Sequence, residues 1–354
     1  MTTRLLPLGR LGATLAAGAF AIWLAYQLEP GSRALFTLMG LYAIVAIGLS
    51  LLMGFAGQIS LGQGAFYGLG AYTAGILVVG LDPDERLVNP EAGISPLLAL
   101  AVAPVLTAAV AAVVGVALLR LRGHYLAFAT LALHLILLAV LFAQARFTGG
   151  QDPGLAVIKG LDIFGWEVTG ILGATPRLTA LVWGVVLVTL LLALNLVRSR
   201  AGRALQAIAT SERTAAAAGI NVSAYKLRLF VLSAGLAGLA GGLYVFLLQF
   251  LSPDAFPIFL SIQFVVMVAV GGLGSVYGAV FGAVAITWLE DELRELGTRP
   301  ELLGFELPDQ APQVFSVGVF ALILIVVILF FPRGLLPALV AGARRLQRRA
   351  TAAR

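Results

Sequence analysis

The segment Arg198–Arg228 reads RSRAGRALQAIATSERTAAAAGINVSAYKLR, and it is the longest interruption of the apolar pattern that is not acidic. It carries six Lys or Arg residues against a single acid, Glu212. At helical spacing Leu205 and Ile208 lie on one apolar face, whereas Arg203 lies elsewhere on the surface. The segment therefore predicts a short basic amphipathic helix near its start.

A second short helix is indicated directly after the first. Thr210 and Ser211 can each cap its N-terminus. Glu212 is favourable in its first turn, and Gly219 can end it. Together the two elements predict a helix, a turn and a helix outside the bilayer, built to contact a partner protein. A basic loop held by phospholipid headgroups is the alternative interpretation.

Composition places the chain among multi-span membrane proteins. Of its 354 residues, 60% are hydrophobic and 11% are charged, and the mean hydropathy is +1.00. Soluble domains carry roughly 25% charged residues. The 41 glycines fit this class because small residues let transmembrane helices approach closely. Without cysteine there are no disulfides or thiolate metal sites, and two histidines make metal chemistry and a bound cofactor unexpected.

Apolar runs predict an all-α polytopic membrane protein with about ten transmembrane helices in one domain, residues 1–343. The predicted spans cover residues 11–28, 35–53, 63–80, 94–119, 125–142, 178–197, 229–250, 259–270, 276–289 and 314–331. The first run is longer than a usual signal core, so a retained span is preferred to a cleaved signal peptide. Acidic loops are expected at residues 82–91 and 290–309, a small cap within residues 144–177, and a basic tail at residues 344–354.

The distribution of basic residues predicts which way the spans run. With the N-terminus in the cytoplasm, 16 of the 23 Lys and Arg residues fall inside. The same assignment leaves one acid inside, Glu212. Because Lys and Arg are enriched in cytoplasmic loops, both termini and residues 198–228 are predicted to be cytoplasmic. This asymmetry also accounts for the basic pI, so nucleic-acid binding is not expected.

The segment Gly54–Gly75, GFAGQISLGQGAFYGLGAYTAG, lies between two apolar runs and contains seven glycines. Gln58, Ser60 and Gln63 bring hydrogen-bonding groups to or near membrane depth. Irregular backbone at that depth is tolerated only where it is buried in protein or lines a wet cavity. The segment predicts a broken or re-entrant element after the second span. A tight turn followed by a glycine-rich packing helix is the alternative.

The predicted translocation path combines this segment with one intramembrane ionisable group, His134. A neutral histidine, hydrogen-bonded between helices, is the alternative for His134. The path residues predicted from sequence are Gln58, Ser60, Gly62, Gln63, Gly64, Tyr67 and His134.

The sequence contains no motif for binding or hydrolysing a nucleotide that could drive transport. It has no GxxxxGK[ST] phosphate-binding loop, so hydrolysis of ATP would have to come from another subunit, and the chain is not expected to be an enzyme. An ion-coupled secondary transporter is the rival class. Its usual sign is a carboxylate buried in a span, and every acid here can be placed in a loop or at a span end. A structural scaffold does not explain the glycine-rich break.

Four stretches resemble the permease subunit of bacterial branched-chain amino acid ABC importers, and most similar is the larger, LivM type. They are GFAGQISLGQGAFYGLGAYTAGIL at 54–77, TGGQDPG at 148–154, GRALQAIATSERTAAAAGINVSAYKL at 202–227 and GGLGSVYGAVFGA at 271–283. FFPRGLL at 330–336 is similar to the end of such permeases. Permeases for urea and amides are related, so these solutes are the alternative substrates.

The resemblance implies a heteromeric importer in the bacterial inner membrane. The expected partners are a sister permease, two cytoplasmic ATPases, and a periplasmic binding protein that delivers leucine, isoleucine or valine. Transport would follow alternating access, with the second short helix receiving motion from the ATPase. The residues implied in this coupling are Ser211, Glu212, Arg213, Ala215, Ala216, Ala217 and Gly219.

The predicted orientation can be tested by labelling single cysteines introduced into this cysteine-free chain. Cysteines at Asp84 and Glu301 should react with an impermeant thiol reagent in intact cells, because both lie in predicted external loops. A cysteine at Arg344 should react only after the cells are permeabilised. Labelling of the Arg344 site from outside would overturn the orientation.

Overall fold

The computed structural model describes residues 8–80, 93–121, 123–150, 154–157, 159–163, 166–169 and 174–297. Beyond these it describes residues 301–302 and 305–306 and isolated positions between 318 and 338. The predicted loop at 82–91, most of the predicted tenth span, residues 151–153 of the TGGQDPG stretch and the tail at 344–354 lie outside the described residues.

The described chain is almost entirely helical. Its helices are α1 Leu8–Gln27, α2 Pro30–Ala56, α3 Gln63–Val79, α4 Pro96–Leu118, α5 His124–Ala143, α6 Ala145–Thr148, α7 Pro176–Arg198, α8 Arg200–Thr210, α9 Glu212–Ala217, α10 Val222–Leu248, α11 Ile258–Gly271 and α12 Val276–Gly297. A short 3-10 turn covers Pro253–Ala255.

Three antiparallel pairs of two-residue strands complete the described structure. The strands are β1 Leu155–Ala156, β2 Asp162–Ile163, β3 Trp166–Glu167, β4 Phe250–Leu251, β5 Glu301–Leu302 and β6 Phe305–Glu306. β1 pairs with β4, β2 with β3, and β5 with β6. The pairing of β1 with β4 holds part of the connection between α5 and α7 against the end of α10.

Among the described residues, six helical segments are long and apolar enough to cross a membrane. They are Pro30–Ala56, Pro96–Leu118, His124–Ala143, Pro176–Arg198, Val222–Leu248 and Pro253–Gly271. The chain is therefore a polytopic helical membrane protein, as composition predicts. The total of ten spans and their orientation remain predictions.

Two predicted boundaries lie furthest from those in the structure, because a change in polarity does not always end a helix. α10 begins at Val222, so the last part of the basic segment forms its first turns. The acidic loop expected from Glu290 is wrong over its first residues, since α12 continues through Gly297. Glu, Leu and Arg are good helix formers, and Leu293 is buried against the core, which favours helix beyond the apolar run.

α10 is the centre of the packing. It contacts α2, α3 and α4, and α2 in turn contacts α7 and α12. Small residues allow the backbones of α3 and α10 to touch: a Cβ added at Gly241 would lie 1.9 Å from the carbonyl oxygen of Tyr67, and one at Gly70 would lie 2.2 Å from that of Gly238. The small residues of α3 and α10 therefore allow a close contact between these two helices.

The bundle has two distinguishable ends. α3 and α10 run in the same direction, because Gln63 at the start of α3 contacts Ser233 and Gly75 near its end lies beside Leu251. α8 and α9 immediately precede α10, and we call their end of the bundle the coupling end. The opposite end, where α10 finishes and α11 begins, is called the distal end.

Replacing Gly241 by alanine should destabilise the protein, because the new methyl group would overlap the Tyr67 carbonyl group. Overpacking of this kind costs about 1–3 kcal/mol. The expected result is a lower thermal unfolding temperature for the purified protein in detergent. Gly184→Ala on α7 is the control, since no atom lies within 4 Å of a Cβ added there. Equal stability of the two variants would contradict the backbone contact.

Candidate coupling surface and translocation path

α8 is the amphipathic helix that the basic segment predicts. Ser199 caps it, its hydroxyl accepting a hydrogen bond from the Gly202 amide at 3.2 Å. Leu205 and Ile208 are buried, whereas Arg203 is exposed. The buried face packs against α2, α7 and α10, so the apolar periodicity alone located the helix and its inner face.

The second short helix, α9, also forms where the caps predict it. The Ser211 hydroxyl accepts a hydrogen bond from the Thr214 amide at 3.3 Å. At the other end Gly219 adopts a φ of 82°, and the Ile220 amide donates to the Ala215 carbonyl at 3.1 Å. Asn221 then caps α10 by accepting from its third residue.

The exposed face of α9 is narrower than the sequence suggests. Ala216, Ala217 and Gly219 are exposed, as is Arg213. Ala215 is only 2% exposed and packs inward, so it cannot contact a partner and instead anchors the helix. The available surface is small and nearly flat, because its central residues are alanine and glycine.

Glu212 also differs from the expected docking contact. Its carboxylate forms an ion pair with Lys226. This pair joins the start of α9 to the first turns of α10. Such partly exposed pairs contribute roughly 0–1 kcal/mol, so this one adds little to the caps and the buried Ala215 that hold α9.

α8 lies directly against the end of α2. A Cβ added at Gly57, which ends α2 with a φ of 63°, would lie 3.9 Å from the Cα of Ala209. The residues Gly57–Gly62 form the irregular connection between α2 and α3, and we call them the inner loop. A displacement of α8 would therefore reach the inner loop through the end of α2.

The predicted break is confined to the inner loop. Gln58 and Ser60 are buried within it, and the Leu61 amide donates to the Thr130 hydroxyl of α5 at 2.9 Å. From Gln63 onward the chain is a continuous, buried helix. The two interpretations of the glycine-rich segment thus apply to different parts of it: a buried break first, and a packing helix after it.

The side-chain amides of the inner loop and the start of α3 are incompletely paired. Gln63 donates to the Ser233 hydroxyl at 3.1 Å, but its carbonyl oxygen has no partner among the described residues. Neither polar atom of the Gln58 amide has one, although Gln58 is only 3% exposed. An unpaired buried polar group costs about 1–3 kcal/mol, so this region carries polar groups that its present packing does not satisfy.

His134, in contrast, is fully paired. The Gly64 amide donates to the Ser261 hydroxyl at 2.9 Å, and Ser261 and His134 Nδ1 lie 2.8 Å apart. His134 Nε2 lies 3.1 Å from the Phe256 carbonyl oxygen, which can only accept. In the neutral ring the proton therefore lies on Nε2, and Ser261 donates to Nδ1. This neutral interhelical arrangement matches the alternative interpretation of His134, and it ties α3, α5 and α11 together.

Tyr67 belongs to a buried group of rings, with Tyr42, Tyr244, Phe256 and Phe264, that we call the aromatic cluster. Neighbouring ring centroids lie 5.2–6.1 Å apart, mostly edge to face. The Tyr67 hydroxyl has no partner among the described residues. Of the predicted path residues, Tyr67 is therefore part of the cluster, His134 contacts the Phe256 backbone, and Gln63 and Gly64 precede Tyr67 on α3.

A cavity at the distal end was not predicted from sequence. It has a volume of about 550 Å³ and lies between α2, α10, α11 and α12. Tyr42 and Tyr244 of the aromatic cluster line it, as do Leu35 and Leu38. A second cavity of about 580 Å³ shares Leu35, Leu38 and Tyr244 with it. The aromatic cluster therefore lies between this distal cavity and the inner loop.

Comparison with known proteins identifies the family. Residues 33–329 match the family described as "Branched-chain amino acid transport system / permease component". The chain belongs to this family. The permease is 26% identical over 342 residues to the high-affinity branched-chain amino acid transport system permease protein LivM of Salmonella typhimurium, a match that covers 91% of this chain and 74% of that protein.

Other relatives show the breadth of the similarity. LivM of Escherichia coli K12 is 26% identical to the permease over 331 residues, covering 88% of this chain and 71% of that protein. The ribose import permease protein RbsC of the same strain is 30% identical over 263 residues, covering 72% and 75%. No solved structure gave a significant match.

The distal cavity was missed because its polar wall was assigned to a loop. Thr287, Glu290, Asp291 and Arg294 line it, and they recur along α12 at the spacing of one helical face. That periodicity was readable in the sequence once residues 290–297 were taken as helix. Gln263 of α11 and Asp254 of the 3-10 turn also line the cavity, and only the fold could place them beside α12.

Replacing Gly62 or Gly64 by leucine should abolish transport by the assembled system while the permease stays in the membrane. A Cβ at Gly64 would lie 2.6 Å from a His134 ring carbon, and one at Gly62 would lie 2.9 Å from the Thr130 carbonyl oxygen. The change at Gly62 displaces the inner loop itself, and the change at Gly64 displaces the first turn of α3 directly after it. Membrane abundance and transport are measured together, with Gly184→Leu as the control. Normal transport by both variants would mean that the inner loop contributes only to helix packing and not to the translocation path.

Proposed function

We propose that this permease forms a translocation path for branched-chain amino acids in an ATP-driven importer of the bacterial inner membrane. The observation that carries the proposal is the family match over residues 33–329, together with the similarity to LivM along 91% of the chain. The working complex would contain a sister permease, two ATPase subunits on the cytoplasmic face and a periplasmic binding protein. The permease itself would contribute no catalytic step.

Coupling would start at the exposed face of α9. ATP binding would draw the ATPase subunits together and displace α9, which is held to α10 by the pair of Glu212 and Lys226. α8 would carry this displacement to the end of α2, which it contacts, and hence to the inner loop. A rigid connection of this kind needs small residues at the docking face, so that the ATPase can approach the backbone closely.

The inner loop would serve as the gate on the coupling side. Its support is the contrast between paired and unpaired polar groups: the His134 network is complete, whereas the amides of Gln58 and Gln63 are not. Polar groups left unpaired in one conformation can gain partners in another, which lowers the free-energy difference between two states of the loop. The complete hydrogen-bond network of His134 would keep the part of the gate around it in a fixed position.

A sugar or another small solute is the second candidate substrate, and the relationship to RbsC supports it. Urea and amides are further candidates of the same kind. Competition of unlabelled leucine, ribose and urea against labelled leucine uptake would separate them. An ion-coupled mechanism predicts uptake that needs an ion gradient and no ATP, whereas the proposed importer needs ATP inside proteoliposomes and no gradient.

The coupling role of α9 predicts that bulk at its centre matters more than charge at its edge. Ala216→Trp and Ala217→Trp should prevent docking by steric overlap, so that the ATPase no longer copurifies and ATP-dependent uptake is lost. Arg213→Gln should weaken docking by no more than about 1 kcal/mol, because the site is exposed. Both effects are measured on the complex reconstituted in proteoliposomes.

Two controls make this test specific. Ala207→Trp adds the same bulk at an exposed site on α8 and should leave copurification intact. Ala215→Trp disturbs a buried anchor, so it should lower the stability of the permease itself. If the variants at Ala216 and Ala217 both keep docking and uptake, α9 is a surface helix without a coupling role and the coupling element lies elsewhere.

A further inference from the structure

The distal cavity has the chemical character of a site for a small zwitterion. Its volume of about 550 Å³ lies within the roughly 300–1,000 Å³ of typical small-molecule sites. Its lining combines carboxylates, one guanidinium group, an amide, a hydroxyl and an apolar wall. None of these residues belongs to α9 or to the inner loop, so the cavity is separate from the coupling and gate regions.

The polar wall is built mainly by α12. Glu290, Asp291 and Arg294 follow one another along the face that lines the cavity, so charges of both signs lie about one turn apart. The Gln263 amide nitrogen of α11 donates a hydrogen bond to the Glu290 carboxylate. Because Gln263 is only 4% exposed, this contact holds Glu290 in a defined position.

Thr287 provides an independent indication of a ligand. It lines the cavity one turn before Glu290, it is 3% exposed, and its hydroxyl has no hydrogen-bond partner among the described residues. Buried hydroxyl groups are rarely left unpaired, because burial removes their hydrogen bonds to water. A hydroxyl in this position can pair with a polar group that enters the cavity.

The opposite wall is apolar. Leu35 and Leu38 project from the first turns of α2, and the rings of Tyr42 and Tyr244 close the inner end of the cavity. A ligand in contact with both walls must be charged at one end and apolar at the other. The lining carries more carboxylates than guanidinium groups, so a bound ligand must also present a cationic group.

We propose that the distal cavity is a binding site on the permease for a zwitterionic amino acid with an apolar side chain. Glu290 and Asp291 bind the ammonium group, Arg294 binds the carboxylate, and Thr287 adds a hydrogen bond. The side chain packs against Leu35 and the aromatic cluster. This inference rests on the proposed function for its choice of amino acid, and it places the first contact of the substrate with the permease on the distal side of the aromatic cluster.

The transport test uses ATP-driven uptake of labelled leucine by the complete importer in proteoliposomes. Glu290→Gln and Arg294→Gln should each raise the KM for leucine at least about tenfold, because each removes a charge-assisted hydrogen bond to the substrate. Glu292→Gln is the matched control for Glu290→Gln: it makes the same change in charge on α12 but does not line the cavity. ATPase copurification should be equal for all three variants.

Thr287→Val separates ligand binding from structure. If the hydroxyl serves the ligand, this variant raises the KM for leucine while the thermal stability of the substrate-free permease stays the same or rises. A structural role predicts the reverse, with lower stability and an unchanged KM. The two results exclude each other, so this variant remains informative even if the charge variants fold poorly.

Binding is tested independently of transport with a single cysteine at Leu38. A charged, impermeant thiol reagent should label this site, and excess leucine should slow the labelling. Leucinamide, which lacks the carboxylate, and 4-methylpentanoate, which lacks the ammonium group, should protect far less. A cysteine at Ser95, exposed at the start of α4, should be labelled at the same rate with and without leucine.

The outcomes separate this inference from the proposed function. If leucine is transported but neither protects Leu38→Cys nor shows a raised KM in the cavity variants, the cavity is not the site and the proposed function stands. If leucine protects but is not transported, the cavity binds amino acids and the proposed substrate is wrong. If leucine does neither, both are overturned.

Discussion

The backbone contact between α3 and α10 is the constraint on which the rest of the structure depends. In a bilayer no hydrophobic effect draws apolar helices together, so close packing must provide the attraction. Glycines 70, 238 and 241 remove the side chains that would keep the two backbones apart. With α3 held against α10, Tyr67 reaches the aromatic cluster and Gln63 reaches Ser233. The inner loop is then fixed at both of its ends, by α2 and by α3.

Polar groups within the bundle divide into a static and an adjustable set. The network through His134 and Ser261 satisfies each of its donors and acceptors and joins three helices, which favours a fixed geometry. The amides of Gln58 and Gln63 are buried with unpaired atoms. The inner loop is therefore the part of the interior with the most to gain from a change in conformation. It is also the part that α8 contacts through the end of α2.

Because α12 extends beyond its apolar run, the acidic residues that follow have a different structural role from the one expected of a loop. As a loop, residues 290–297 would be a solvated acidic connection with no defined direction. As a helix, they present Glu290, Asp291 and Arg294 on one face, next to Thr287 and opposite the leucines of α2. The absence of a carboxylate in the spans was an argument against ion coupling. Glu290 is partly buried and hydrogen-bonded at the end of its span, so the family match now carries that distinction.

The sequence by itself determined the membrane class, the positions of most helices, the amphipathic face of α8 and the caps of α9 and α10. These features depend on hydropathy and on contacts within a few residues, and both are visible in a linear pattern. Only the tertiary structure decided that Ala215 faces inward, that Glu212 pairs with Lys226, that His134 is fully hydrogen-bonded and that a polar cavity lies at the distal end. Each of these depends on side chains brought together from separate helices. The hydropathy of a span does not say which of its faces meets protein, lipid or a cavity.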